Sequence, residues 1–327
     1  MSRKVFMIGL DGVGFPLITP WIEAGKLPHL RELLTEGASG ELTSAIPPLT
    51  GPAWATFQTG VNPGKHGIFG WTKRRGYDIS VVTASDIRYP TLWELASQSG
   101  RRVVSVGLPM TYPPRAVNGV IIPGMLAPKN DRTPSYPRNA YADIHEAVPG
   151  YRFFPESSHL ITLGSKVGSL RASVRGRTDA AEYLMQKEDW DLLMIHFQAT
   201  DKAQHDMWGL KENEPLLDVF QEVDRSVGRL VDRARKAGAT VIVLSDHGMG
   251  PQDYTFSINT WLAANGYLKL KKGAWSRVKE GLFHLGLTQR RLAQLGMLFY
   301  PIAYRLGAVD SFFDAVGDSW LARLVNT

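Results

Sequence analysis

The chain reads as an α/β protein: a mostly parallel sheet sandwiched by helices. Three observations predict this. Near-continuous apolar runs at Val5–Leu10, Arg102–Leu108, Trp190–Phe197 and Ala239–Leu244 lack period-two alternation, as strands covered on both faces do. Helical patterns separate the runs, and parallel strands need such crossovers. Acidic or imidazole residues then follow the strand ends, at the carboxyl edge where ligands gather in open parallel sheets.

Taken in order, Val5–Leu10 is a buried strand closed by Asp11-Gly12. Leu27–Leu34 follows as a helix stopped at Gly37. Thr50-Gly51-Pro52 opens a second helix over Ala53–Gln58, a hydroxyl residue followed by an early proline being a start signal. Thr91–Gln98 is a helix ending at Gly100, and Arg102–Leu108 the next strand. From Pro109 to about residue 177 the chain is rich in Pro, Gly and Tyr with short apolar runs, which suggests an insertion or cap over the active face. Thr178–Lys187 is helical, and Trp190–Phe197 is a strand ending near Asp201. The clearest helix is Leu216–Lys236, where Leu216, Phe220, Val223, Val227, Leu230 and Val231 recur at three- and four-residue steps. Gly238 ends it, and Ala239–Leu244 delivers Ser245-Asp246-His247-Gly248. Residues 1–270 thus form one expected domain, and 271–327 a helical insertion or the start of a truncated C-terminal part.

Bulk properties narrow the chemistry. A chain of 327 residues can bury a large core. Thirty-seven Lys and Arg against 31 Asp and Glu leave +6, which favours anionic ligands but is too mild, without a basic-aromatic groove, to imply nucleic acid. Cysteine is absent, so thiolate ligands and a thiol nucleophile are excluded, and any metal must be held by oxygen and nitrogen. The N-terminal apolar run is too short for a signal peptide, and the longest C-terminal one, Leu292–Tyr304, is short of the ~20 residues that span a bilayer. A soluble, cytoplasmic protein is expected, with residues 275–310 offering an amphipathic surface that a membrane or the domain itself could cover.

Asp201 and His205 stand four apart, a spacing that joins a carboxylate and an imidazole on one helical turn. Such a pair suits Zn²⁺ or Mn²⁺, and equally an ion pair or cap. Asp246-His247 after a buried strand has little structural excuse and is the stronger candidate. Asp11 resembles it, although Asp-Gly is also a turn dipeptide. Thr50 reads as an N-cap, or as a hydroxyl at a helix N-terminus where a phosphate is favoured and a neighbouring metal would activate it. Together these residues suit two divalent metals around a hydroxyl nucleophile, and hence reaction at a phosphoester.

The segment from Thr50 through Thr59-Gly60 to His66-Gly67-Ile68 resembles the nucleophile region of type I phosphodiesterases/nucleotide pyrophosphatases, in the alkaline phosphatase superfamily. Gly9-Leu10-Asp11-Gly12, Asp201 with His205, and Ser245-Asp246-His247-Gly248-Met249 match that family's other blocks in order. The resemblance implies an alkaline-phosphatase-like fold and two metal ions. Asp11, Thr50, Asp246 and His247 would hold one; Asp201, His205 and a distal histidine would hold the other. The chain departs from the family at that histidine. After His247 only His284 occurs, in an unmatched amphipathic context, so a protein lacking the C-terminal part of the family domain is expected. Nucleotide pyrophosphatases carry Asn twenty-one residues beyond the nucleophile, where Trp71 stands here. Lys65 and Trp71 are therefore the candidate substrate contacts, without implied nucleotide specificity.

The expected reaction is metal-dependent hydrolysis of a small phosphodiester through a phosphothreonine on Thr50. A sulfatase is disfavoured, because Thr50-Gly51-Pro52-Ala53-Trp54 offers neither a convertible Cys or Ser nor the Arg. A phosphoryl transferase or phosphomutase remains open, as does a phospho-ligand-binding module lacking the second metal site. His66 and His196 are read as structural, the latter as a satisfied core residue in a strand.

Overall fold

A computed structural model describes residues 4–76, 78–128, 131, 133–153, 162–254 and 256–269. The chain divides into two compact units, Met1–Pro251 and Gln252–Thr327. The first unit runs β1 (Val5–Leu10), α1 (Phe15–Glu23), α2 (Pro28–Glu36), α3 (Thr50–Thr59), α4 (Pro63–His66), β2 (Thr72–Arg75), β3 (Asp78–Val81), α5 (Leu92–Gln98) and β4 (Val103–Leu108). It continues with β5 (Gly119–Pro123), α6 (Ala140–Ala147), α7 (Leu163–Lys187), β6 (Leu192–Phe197), α8 (Ala199–Met207), α9 (Glu214–Lys236) and β7 (Thr240–Leu244). In the second unit the described residues form α10 (Ile258–Ala264), and the Trp261 ring stacks on Tyr267 at 6.0 Å between centroids. The expected helices beyond residue 270 and His284 lie outside the described residues. No helix among the described residues is long and apolar enough to cross a membrane.

Five strands form one sheet in the order β5-β4-β6-β1-β7, every pair parallel. Alternation along each strand divides its side chains between two cores. Phe6, Ile8 and Leu10 of β1, with Leu193, Ile195 and Phe197 of β6, face the core formed with α7 and α9. Met7 and Met194 face the opposite core, with Trp54 of α3 and Trp93 of α5. Asp11 extends β1 on the odd-numbered side, so its carboxylate follows Met7 and Gly9 toward α3.

The strand runs and the helices over residues 28–36, 92–98 and 214–236 stand where the sequence places them. Three features differ. Helix α1 escapes the sequence reading because Pro16 and Pro20 mask it. Pro16 occupies an early position, and Pro20 lies within a helix of only nine residues. The ribbon β2–β3 is exposed at every residue and lacks the apolar face that marks a strand. Within the segment read as an insertion or cap, β5 pairs with β4 in the main sheet, and α7 begins at Leu163 and buries Val167, Leu170 and Val174. Composition was a poor guide there because polar and small residues on a long helix do not prevent one face from packing.

Candidate active site

The strand order brings three loop regions together. β1 lies between β6 and β7, so Asp11, the β6–α8 turn and the residues after β7 all open at the same edge. Gly12 holds a left-handed φ of +70°, which turns the chain immediately after Asp11. Its N–H donates to Asp246 Oδ1 at 3.1 Å, and its carbonyl accepts from Gln204 Nε2 at 2.8 Å. Val13 N–H donates to Ser245 Oγ at 2.8 Å, and Ser44 Oγ to the Asp246 carbonyl at 2.6 Å. Thr200 Oγ1 donates to the Asp11 carbonyl at 2.6 Å. These bonds tie β1, α8 and the β7 turn into one frame.

Thr50 begins α3 rather than capping it. Leu49 occupies the cap position, and no side chain caps the helix. The Thr50 hydroxyl instead points inward, 3.1 Å from His247 Nε2 and 3.4 Å from Asp11 Oδ1. His247 Nε2 lies a further 3.6 Å from Asp11 Oδ1 and 3.4 Å from Asp246 Oδ2. His247 Nδ1 bonds the Gly248 carbonyl at 2.9 Å, so in the neutral ring it carries the proton and leaves the Nε2 lone pair facing Thr50. Donor atoms of Asp11, Asp246 and His247 fall within 4.8 Å of one another, the arrangement a metal ion needs.

Asp201 and His205 share one turn of α8, with His205 Nε2 3.5 Å from Asp201 Oδ1. Asp201 is buried beside Gly12, whereas the His205 side chain is 64% exposed. Lys65 lies exposed on α4 with its backbone N–H capped by Asn62. The Trp71 ring packs over Gly51, 3.4 Å from where a Cβ would stand.

The electrostatics are those of a site short of positive charge. Burial, and then Asp201, push the Asp11 carboxyl up to about 7. Burial, and then Asp11, do the same to Asp246, again to about 7. Burial raises Asp201 as well. Desolvation alone would lower His247, but Asp246, the Gly248 carbonyl, Asp11 and Asp201 outweigh it and raise it. Asp246 Oδ2 and Asp201 Oδ1 are buried with no hydrogen-bond partner. Orphaned carboxylate oxygens among like charges are costly unless a cation joins them. This donor set, all oxygen and imidazole nitrogen, therefore fits a divalent ion such as Zn²⁺ or Mn²⁺.

The type I phosphodiesterase / nucleotide pyrophosphatase family matches this sequence over residues 5–295. The chain belongs to that family. Phosphonoacetate hydrolase from Sinorhizobium meliloti shares the fold of this type I phosphodiesterase family member, with a TM-score of 0.61 and 20% identity. The alignment covers 80% of this chain and 62% of that one. A 2,3-bisphosphoglycerate-independent phosphoglycerate mutase from Trichormus variabilis is 30% identical over 107 residues, 33% of this chain and 19% of the mutase. Its counterpart from Thermosynechococcus vestitus is 25% identical over 120 residues, covering 37% and 22%. The chain thus spans about a fifth of the length of these curated relatives.

Several supporting residues escaped the sequence reading. Ser44, Thr200 and Gln204 hold the frame through side-chain hydrogen bonds to backbone carbonyls that no local pattern announces. His196, read as a core residue, is fully buried but bonds Asp11 Oδ2 at 3.0 Å. Strand parity carried the signal: His196 stands opposite Gly9 in the parallel register, two residues before Asp11 on the same face.

Proposed function

We propose that this family member is a metal-dependent phosphodiesterase that attacks phosphorus with Thr50. The observation that carries the reading is the convergence of the Thr50 hydroxyl on Asp11 and His247, at 3.4 and 3.1 Å, beside a buried and charge-deficient carboxylate cluster. Asp11, Thr50, Asp246 and His247 would hold one divalent cation, and Asp201 with His205 would contribute to a second. When bound, such cations stabilise charge on the phosphoryl oxygens and favour the ionised hydroxyl.

The chain's own contribution is mainly positional. Packing of α3 against the sheet fixes Oγ1 at the carboxyl edge, and the N–H groups of Thr50 and Gly51 open the helix without helical partners. They and the helix dipole favour the phosphate oxygens there. In the first step Thr50 Oγ1 gives up its proton, the Oγ1–P bond forms, the P–O bond to the leaving group breaks, and the leaving oxygen takes up a proton, which leaves a phosphodiester on Thr50. In the second, water attacks the phosphothreonine, its oxygen stays with phosphorus, and Thr50 is restored.

The test compares bis-(p-nitrophenyl) phosphate with p-nitrophenyl phosphate in the presence of Zn²⁺ or Mn²⁺. Preference for the diester, with a phosphoryl group trapped on the Thr50 peptide by rapid acid quench, supports the reading. Undiminished turnover by Thr50→Ala removes that residue from the mechanism. The stretches shared with phosphoglycerate mutases favour a second reading, phosphoryl transfer to an acceptor other than water. Release of the phosphate monoester to water against transfer of that group to added alcohols separates the two.

A further inference from the structure

His196 interrupts an otherwise apolar strand, and its imidazole is fully buried in the middle of the sheet. Nε2 lies 3.0 Å from Asp11 Oδ2 and Nδ1 3.1 Å from the Gly107 carbonyl. The two Asp11 oxygens are thereby divided. Oδ1 faces Thr50 Oγ1 and His247 Nε2, at 3.4 and 3.6 Å, while Oδ2 faces His196 on the side away from the site. A carboxylate held at its rear oxygen cannot swing its front oxygen out of place without breaking that bond.

We propose that His196 is a positioning residue that presents Asp11 Oδ1 to a bound cation, an inference that rests on the metal-dependent reading above. The ring suits the task. It is fully buried and sits in a fixed place between two acceptors. Its two neighbours are a carboxyl and a carbonyl, and once a bound cation holds Asp11 ionised that carboxylate is the stronger acceptor, which places a proton on Nε2. The ring is itself fixed. Trp54, one turn beyond Thr50 on α3, meets it edge-on at 4.9 Å between centroids. Arg177, fully buried on α7, donates to the His196 carbonyl at 2.6 Å and to the Phe153 carbonyl at 2.7 Å, locking this point of β6 from behind. Gly107 leaves space for that guanidinium, since a Cβ there would stand 2.7 Å from Arg177 Nη1. Groups that orient metal-binding side chains typically alter affinity by about 10–100-fold when removed.

The test is calorimetric titration of Zn²⁺ into the full chain and its His196 variants, with thermal unfolding in EDTA as the control on folding. His196→Leu should bind Zn²⁺ about 10–100-fold more weakly than wild type. His196→Gln, which can carry an amide N–H near the Nε2 position, should restore binding to within a few-fold. If the Leu variant does not fold, Gln against Asn decides, because Asn reaches only toward the Nδ1 position. Gln retaining affinity while Asn loses tenfold or more supports positioning. Equal Zn²⁺ affinity in wild type and a folded Leu variant, or in Gln and Asn, overturns it while leaving metal dependence intact. A wild-type chain that binds neither Zn²⁺ nor Mn²⁺ overturns both.

Discussion

Replacing Asp246 with Asn should stabilise the metal-free protein at pH 8, and by less than half as much at pH 5. The carboxyl is raised from 3.8 to about 7 by burial and by Asp11, so the folded state holds a proton that the unfolded chain has released. A group raised on folding contributes stability that is complete below its unfolded pKa and is lost as pH climbs through its folded one. The loss therefore runs between about pH 4 and pH 7. At about 1.4 kcal/mol per pH unit, a rise from 3.8 to about 7 sets a ceiling near 4 kcal/mol for this one carboxylate. Asn keeps the Oδ1 acceptor for the Gly12 N–H, 3.1 Å away, and puts a neutral amide where Oδ2 now lacks a partner. A gain of about 2–4 kcal/mol is expected at pH 8, equivalent to roughly 4–15 °C in Tm for a domain of this size. Circular dichroism melts in EDTA at both pH values measure it. Added Zn²⁺ should then raise the Tm of the wild type far more than that of the variant. An Asp246→Asn protein no more stable than wild type at pH 8 would falsify the claim that mutual repulsion strains the empty carboxylate cluster.

Thr50→Ala should lower diesterase turnover by on the order of 10³-fold or more, since it removes the hydroxyl that faces Asp11 and His247, whereas Thr50→Ser should retain part of it. Steady-state kinetics checks both, and equal losses in Ala and Ser would point to a packing role. Chelation should abolish turnover, and Asp201→Ala or His205→Ala should cost at least about 100-fold, because even residues supporting a ligand cost about 10–100-fold. A chelated enzyme at full rate contradicts the metal assignment. Gly9→Ala should destabilise by about 1–3 kcal/mol through overpacking, because its Cβ would stand 2.6 Å from Trp54 Cη2 and 2.9 Å from Met194 Cε. Urea unfolding gives the number, and a neutral result would mean that Trp54 shifts freely.

How much could be read in advance varied with the range of the interaction. The strand at Val5–Leu10 and the helix over 214–236 were legible because a buried run and a 3.6-residue stripe are local consequences of where water is excluded. The Asp246-His247 doublet was legible for a related reason, since polar groups seldom end a buried strand without a task. Thr50 was only half legible: a hydroxyl at a helix start can cap its own helix or turn toward another element, and local sequence is the same in both cases. Helix α1 was hidden by its prolines and the ribbon β2–β3 by its uniform exposure.

By itself the sequence determined the buried strands of the main sheet and the strongly periodic helices, that any metal must be held by carboxylate and imidazole, and the family to which the chain belongs. Tertiary structure alone decided that β1 lies between β6 and β7, and therefore that Asp11, Asp201, Asp246 and His247 open on one edge. It also decided that Thr50 faces Asp11 and His247, and that a histidine in the sheet holds the rear oxygen of Asp11. Periodicity reports how one segment meets water. Which residues of distant segments meet one another depends on strand order and register, and both are settled only when the whole sheet packs.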